Sequence, residues 1–333
     1  MDNLTHSLTG AFLSRAGLNR LTPDATWILV LAANAPDVDV VSALGGPALA
    51  LHWHRGITHS LAFSPVLAFA CVLLLRAFSR RNTNWMGATF VAWLGVLSHI
   101  ALDLTNNYGV RILEPFSRQW FQWDLSFVVD PWIWVALLFA LGFPLLARLL
   151  SSEMGEHRRA YPPRGWAIFA LAFLLLYDGA RAVLHARAIA TLESRDYDGE
   201  TSTRVAAFPT PLNPFVWSAL VETPGRVFLY DLDLNRSFDP RLGAAFYRND
   251  PGAALPALRA QTDFGELIAF AQYPLWRVVD DANNSRYTLT DLRFGDPVAH
   301  TFTCSARVVN LRNVADERCD FSFAQRFSFE TQR

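Results

Sequence analysis

Lysine is missing from this chain: all 29 basic residues are arginine. Schiff-base chemistry and any lysine nucleophile or base are therefore excluded. Cysteine is nearly missing as well, with only Cys71, Cys304 and Cys319 in 333 residues. No CxxC pair occurs among them, which excludes a thiolate zinc site of the finger or ribbon type. Charge is scarce at 18% of residues, below the roughly 25% of soluble domains, while 52% of the chain is hydrophobic. That balance places part of the protein in a membrane. A formal charge of −1, with no Walker loop, Rossmann glycine fingerprint or arginine-rich tail, excludes nucleic acid as a partner. A conventional secretory signal is lacking too. Met1 is followed by DNLTHSLTG rather than a basic region and an apolar run, so the N-terminus is expected to belong to the mature fold.

What is present divides near residue 190. Four segments, 61–78, 85–104, 128–150 and 165–186, are apolar and long enough to cross a roughly 30 Å hydrocarbon core. Segments 4–17 and 24–35 are apolar and helical in pattern but short, and are expected to form a tight hairpin among the longer helices. Arg76, Arg80 and Arg81 follow the first long segment, and Arg148, Arg158, Arg159 and Arg164 lie between the third and fourth. Arginine-rich short loops face the cytoplasm, and the hairpin tip with Arg15 and Arg20 fits that side. The loops 36–60 and 105–127 then face outward.

Beyond residue 191 no long apolar run remains. RVFLYDLDL, LIAFAQYPLWRVV, RYTLTDLRF, HTFTCSARVV and FSFAQRFSF read as strands separated by Gly, Pro, Asn and Asp turns. The expected fold is an α-helical multi-pass membrane domain over 1–190, a short hairpin plus four longer helices, followed by a β-rich α+β soluble domain over 191–333. By the span count the second domain is extracytoplasmic. In an oxidising compartment Cys304 and Cys319 could pair, although spacing alone does not establish it.

Polar groups gather at the expected outer ends of the apolar helices. MDNLTHS carries Asp2 and His6, and ANAPDVD carries Asn34, Asp37 and Asp39. HWHRGITHS carries His52, His54 and His59, and SHIALDLT carries His99 and Asp103. His99 and Asp103 are four apart, so on a helix they share a face and could bind one ion. Pro36 is expected to end the short helix before it and leave Asp37 and Asp39 on a loop. Ionisable groups inside a membrane are costly unless they pair, line a wet cavity or bind an ion. Plain structural accounts remain open for each: His6 as a surface residue, Asp2 as a helix cap, His52 beside Trp53 at the interface, Asp37 in a turn, and His99 with Asp103 as a neutral pair joining helices.

MDNLTHSLTG, ANAPDVDVV, HRGITHSLAFSP and SHIALDLTNNYGVRILEPFS, in this order and spacing, resemble the YdjM/YbcI-type inner-membrane proteins described as metal-dependent hydrolases. The resemblance covers about residues 1–185. It implies a multi-pass protein of the bacterial inner membrane with a His/Asp metal site. The matched positions are His6, Asp37, Asp39, His54, Arg55, Thr58, His59, His99 and Asp103, with His52 outside the shared pattern. The implied metal ligands are His6, Asp37, Asp39, His54, His59, His99 and Asp103. Arg55 and Thr58 are assigned to substrate, and catalysis to Asp37, Asp39 and Arg55.

Mixed imidazole and carboxylate donors suit one or two divalent ions, zinc or manganese first. Such an ion supplies both an acidified water and an electrophile, with Asp37 or Asp39 as general base and Arg55 on an anionic group. The expected substrate is a lipid-like or other small-molecule ester or phosphoester, reached from membrane lipid. Two other functions use the same residues: a membrane cation or proton transporter or metal sensor, and a non-catalytic membrane scaffold. Transport predicts polar residues continuing to the cytoplasmic ends, where VLAFACVLLL and VAWLGVL are nearly bare.

Overall fold

A computed structural model of the chain describes residues 1–79, 84–153, 163–281, 284–294 and 301–321. Arg80, Arg81, Arg158 and Arg159, used above for orientation, lie outside the described residues, as does the expected strand FSFAQRFSF from residue 322 onward. The chain forms two compact units. One comprises Met1–Val40, Arg55–Ala188 and Phe208–Trp217, and the other Val41–His54, Ile189–Ala207 and Ser218–Arg333.

The first unit is helical. Helix α1 (Asn3–Ala16) begins because the Asp2 carboxylate accepts the Leu4 and Thr5 N–H groups, and ends at Gly17, whose φ of 151° suits only glycine. Helix α2 (Ala25–Ala32) is followed directly by a 3-10 helix, Ala35–Gly45. Helix α3 (Pro47–Trp53), which falls in the second unit, and a 3-10 turn, Ile57–His59, come before α4 (Ser64–Phe78) in the chain. Helix α5 is Trp85–Leu104, capped by Asn84. Helix α6 (Pro131–Glu153) starts with proline in its first turn, and Asp130 accepts the Trp132 and Ile133 N–H groups. Helix α7 is Pro163–Glu193. Ala25, Ile28, Leu29 and Ala32 of α2 form one core with Ala68, Cys71 and Val72 of α4 and Ala88, Val91, Ala92 and Val96 of α5. Leu8 and Phe12 of α1 pack with Ile133, Leu137 and Ala140 of α6 and Ala167, Ala170 and Leu174 of α7.

Among the described residues four stretches are long and apolar enough to cross a membrane: Ala25–Gly45, Trp85–Leu104, Pro131–Leu149 and Arg164–Glu193. Their membership corrects the expectation from sequence. Helix α4 has only 15 residues, so segment 61–78 does not provide a full span by itself. It reaches that length only with Pro47–His59, across an 89° bend. Segment 24–35 is lengthened instead, because Pro36 and Asp37 open a 3-10 helix rather than the expected loop. Proline lacks the N–H that first-turn positions leave unused, so Pro36 starts the new helix as readily as it ends the old one.

The second unit is rich in strands. Short strands β1 (Asp196–Tyr197) and β2 (Glu200–Thr201) pair with each other. Strands β3 (Arg204–Pro209), β4 (Val216–Glu222), β5 (Arg226–Asp233) and β6 (Ala244–Tyr247) form one sheet in that order. Helices α8 (Leu255–Arg259) and α9 (Thr262–Phe270) follow. Strands β7 (Pro274–Asp281), β8 (Asn284–Asp291), β9 (Thr303–Val309) and β10 (Asn313–Asp320) make an antiparallel meander. Leu267–Phe270, expected as strand, is helical, because Phe264, Leu267 and Phe270 recur at helical spacing and are all buried. Cys304 and Cys319 are register partners on β9 and β10 and form a disulfide.

Two glycines let the helices of the first unit approach at backbone distance. A Cβ at Gly10 of α1 would stand 2.8 Å from the Leu29 carbonyl oxygen, and one at Gly95 of α5 would stand 2.9 Å from the Ala32 Cβ. Both contacts fall on the last turn of α2, so α1 and α5 close on it from two sides. Gly95→Ala is expected to destabilise the protein by about 1–3 kcal/mol through overpacking, read as a lower melting temperature in detergent. Gly142→Ala, where the added Cβ meets nothing within 4 Å, is expected to leave it unchanged or slightly higher.

Candidate metal centre

The close approach at the end of α2 brings four side chains together. His99 and Asp103 lie on the last turns of α5, Asp37 on the first turn of the 3-10 helix, and His59 at the end of its own 3-10 turn. His59 Nε2 and His99 Nε2 are 3.1 Å apart. Asp103 Oδ2 lies 3.4 Å from the first and 3.3 Å from the second, and Asp37 Oδ1 lies 3.5 and 3.6 Å from the same two nitrogens. Donors at about 2.0–2.1 Å from one ion in a tetrahedral array stand roughly 3.3–3.4 Å apart. The five separations bracket that value, and this Asp/His/His/Asp group could bind a metal ion.

The outer contacts turn both imidazoles the right way. His99 Nδ1 is 2.7 Å from the Ala33 carbonyl oxygen, so Nδ1 carries the proton and Nε2 offers its lone pair to the centre. His59 Nδ1 is 3.3 Å from Asp39 Oδ2 and 3.0 Å from Thr58 Oγ1. Asp39 thus stands behind His59, as the carboxylate of a carboxylate–histidine pair does in metal sites. Its Oδ2 also accepts the Thr58 hydroxyl at 3.0 Å and the Arg55 N–H at 2.8 Å.

Asp103 is fully buried and has two distinct faces. Oδ1 accepts from Arg55 Nη2 at 3.1 Å and from the α-amino group of Met1, while Oδ2 faces the two histidines with no hydrogen-bond partner. The His6 ring stacks on that of His99 with centroids 3.8 Å apart, and its Nε2 is 3.4 Å from Asp103 Oδ1. Neither His6 nitrogen hydrogen-bonds to a described residue. Buried polar atoms left in this way are costly, and a cation bound among them would remove the deficit at Asp103.

The sequence-derived set therefore separates by position. Asp37, His59, His99 and Asp103 converge, Asp39 and Thr58 support His59, and His6 lies against His99. Arg55, at a φ of 55°, packs over the Tyr108 ring and donates to Asn106 Oδ1 at 2.9 Å. His54 ends α3, with its N–H on the Ala50 carbonyl oxygen, and is not in the quartet. Asn106 and the Ala33 carbonyl were not among the predicted site residues. Asn106 follows Asp103 by three positions and carried a polar signal, whereas a backbone carbonyl carries none. Asp39→Asn is expected to weaken divalent-metal affinity about 10–100-fold by releasing His59. Asp103→Ala and His99→Ala are expected to abolish binding, all measured by elemental analysis and metal titration of detergent-purified protein.

The family model of the YdjM inner membrane protein matches residues 1–188. The chain is 30% identical to the uncharacterized protein YfhP of Bacillus subtilis (strain 168) over 154 residues, covering 43% of this chain and 46% of that protein. It is 34% identical to the inner membrane protein YbcI of Escherichia coli (strain K12) over 110 residues, covering 32% of this chain and 61% of that one. These matches span less than two thirds of either relative. No solved structure matches. With more than half its length under that model, the chain belongs to the YdjM inner membrane protein family.

Proposed function

We propose that this protein is a membrane-embedded, metal-dependent hydrolase that directs water onto an ester or phosphoester of a lipid-like substrate. The observation that carries this reading is the unequal burial of the four donors. The side chains of His59, His99 and Asp103 are fully buried, whereas Asp37 is 17% exposed. Two histidines and a carboxylate are a donor set of catalytic zinc sites that keep a fourth position for water or substrate. A single divalent ion, zinc before manganese, would supply Lewis acidity and an acidified water when bound.

Each residue then has a task. His59, His99 and Asp103 would hold the ion. Asp37, at the accessible edge, accepts the proton of the attacking water. Asp39 and the Ala33 carbonyl keep the two Nε2 atoms aimed inward, and Thr58 joins Asp39 to His59. Arg55 has one donor, Nε, without a partner among the described residues, and we assign it to an anionic oxygen of the substrate. Beside Asp37, Val38 and Val40 are more than half exposed. Apolar surface at the open edge of the centre suits a substrate arriving from the bilayer.

One observation favours a second reading. Four protein donors at tetrahedral spacing leave no position for water, as in structural zinc sites, which fits a non-catalytic scaffold. Asp37→Asn separates the two. The hydrolase reading expects metal content near wild type with hydrolysis of a generic phosphodiester or fluorogenic phospholipid reduced about 100-fold or more, in the range typical of acid–base groups. The scaffold reading expects Asp37→Asn to lose metal as completely as His99→Ala. Metal-loaded wild-type protein that turns over neither ester class would overturn the hydrolase.

The Cys304–Cys319 disulfide supports an extracytoplasmic location for the β-rich unit, because such bonds persist in oxidising compartments. In intact spheroplasts, an impermeant maleimide is expected to label these cysteines only after reduction. Labelling that requires lysis of the cells would reverse the orientation.

A further inference from the structure

We infer that the groove between the C-terminal end of α1, α6 and the start of α7 binds the headgroup of an anionic phospholipid. The groove encloses about 260 Å³ and is lined by Arg15, Leu141, Pro144, Leu145, Arg148 and Trp166, together with Ala140. Arg15 lies on the last turn of α1. Arg148 stands one residue before the end of the membrane-length stretch Pro131–Leu149, and Trp166 two residues after the start of Arg164–Glu193. Two chain segments thus place arginine and tryptophan where apolar helix gives way to polar surroundings, the depth at which these residues meet lipid headgroups.

The local structure builds a cleft there. Pro144 inside α6 has no N–H to offer the Ala140 carbonyl, and its ring loosens the helix at that turn. Both residues line the groove. Trp166 forms a fixed wall, with its ring 4.7 Å from that of Phe143, 5.6 Å from Phe139 and 5.7 Å from Phe169. Arg164 donates from Nε to the Ala16 carbonyl oxygen at 3.0 Å, which holds the start of α7 against the end of α1.

Charge selects the occupant. Arg15 and Arg148 are both exposed, and neither forms an ion pair or hydrogen bond with a described residue. Two uncommitted guanidiniums beside leucine, proline and tryptophan match a phosphate with acyl chains below it. A free phosphate would leave the apolar lining bare. The groove is separate from the metal centre, since Arg15 follows His6 by nine residues on α1, about 13 Å along the axis, and the inference does not depend on what that centre does.

The test is lipid titration of the full-length protein in detergent, followed by native mass spectrometry, with phosphatidylglycerol, phosphatidylcholine and inorganic phosphate as probes. Wild type is expected to retain phosphatidylglycerol in preference to phosphatidylcholine. The Arg15→Gln/Arg148→Gln double variant is expected to bind phosphatidylglycerol roughly 30-fold more weakly, which is about 2 kcal/mol shared between two arginines. Arg15→Lys/Arg148→Lys should keep most of the preference, and Arg118→Gln, at an exposed arginine outside the groove, should keep all of it. Equal retention of the two lipids by wild type, or unchanged phosphatidylglycerol binding in the double Gln variant, would overturn the inference. Inorganic phosphate competing as well as phosphatidylglycerol would overturn the lipid as occupant.

Discussion

A carboxylate with no exposed surface, Asp103, sets the terms for the helical unit. An ionised group taken out of water costs several kcal/mol unless partners replace its hydration. Here one oxygen is met by Arg55 and by the Met1 α-amino group, and the other faces two imidazoles. Those partners come from Met1 ahead of α1, from the segment before α4 and from α5, so satisfying one carboxylate draws three parts of the chain to the same point. The oxygen without a hydrogen bond, Oδ2, is the one that faces the quartet's centre. Charge balance and ligand geometry therefore have a common origin.

Close packing makes the same point reachable. Gly10 and Gly95 bring α1 and α5 onto the last turn of α2, and the next carbonyl along, that of Ala33, receives the His99 Nδ1 proton. Larger residues at either glycine would separate the helices and lengthen that hydrogen bond. The position of the His99 imidazole is thus a consequence of two residues with no side chain. His6 follows from the same approach: with α1 held against α2, its ring stacks on His99. Small residues in membrane helices commonly act by permitting polar contacts that bulk would prevent.

Much of this was readable in the sequence, and the reasons for the rest are specific. The spacing of His99 and Asp103 predicted a shared helical face, and the ordered set of polar motifs predicted convergence. The different surroundings of Asp37 and Asp39 were not readable. Two carboxylates flanking one residue look equivalent in a loop, whereas a 3-10 helix turns them to different sides, one toward the quartet and one behind His59. The Ala33 acceptor is backbone and has no residue-type signal at all. Segment 61–78 looked like a full span because hydropathy does not register the break before Ser64. The strands around Tyr230, Tyr287 and Cys304 followed from alternation and turn residues, but Leu267–Phe270 did not, since a short apolar run fits helix and strand alike.

The absence of lysine bears on both sites. A buried ammonium readily gives up its proton, whereas a guanidinium stays charged even when desolvated. Arg55 is 4% exposed, and its guanidinium keeps its charge on the Asp103 Oδ1 face at that burial while Oδ2 faces the histidines. Its planar fork also reaches Asn106 and Asp103 from two different nitrogens, a geometry a single ammonium cannot reproduce. At the exposed groove the requirement is different, because Arg15 and Arg148 are both exposed and lysine would also stay charged there. Arginine is thus a necessity beside Asp103 and a convenience at the groove, so replacement by lysine should separate the two sites: severe at position 55 and mild at positions 15 and 148.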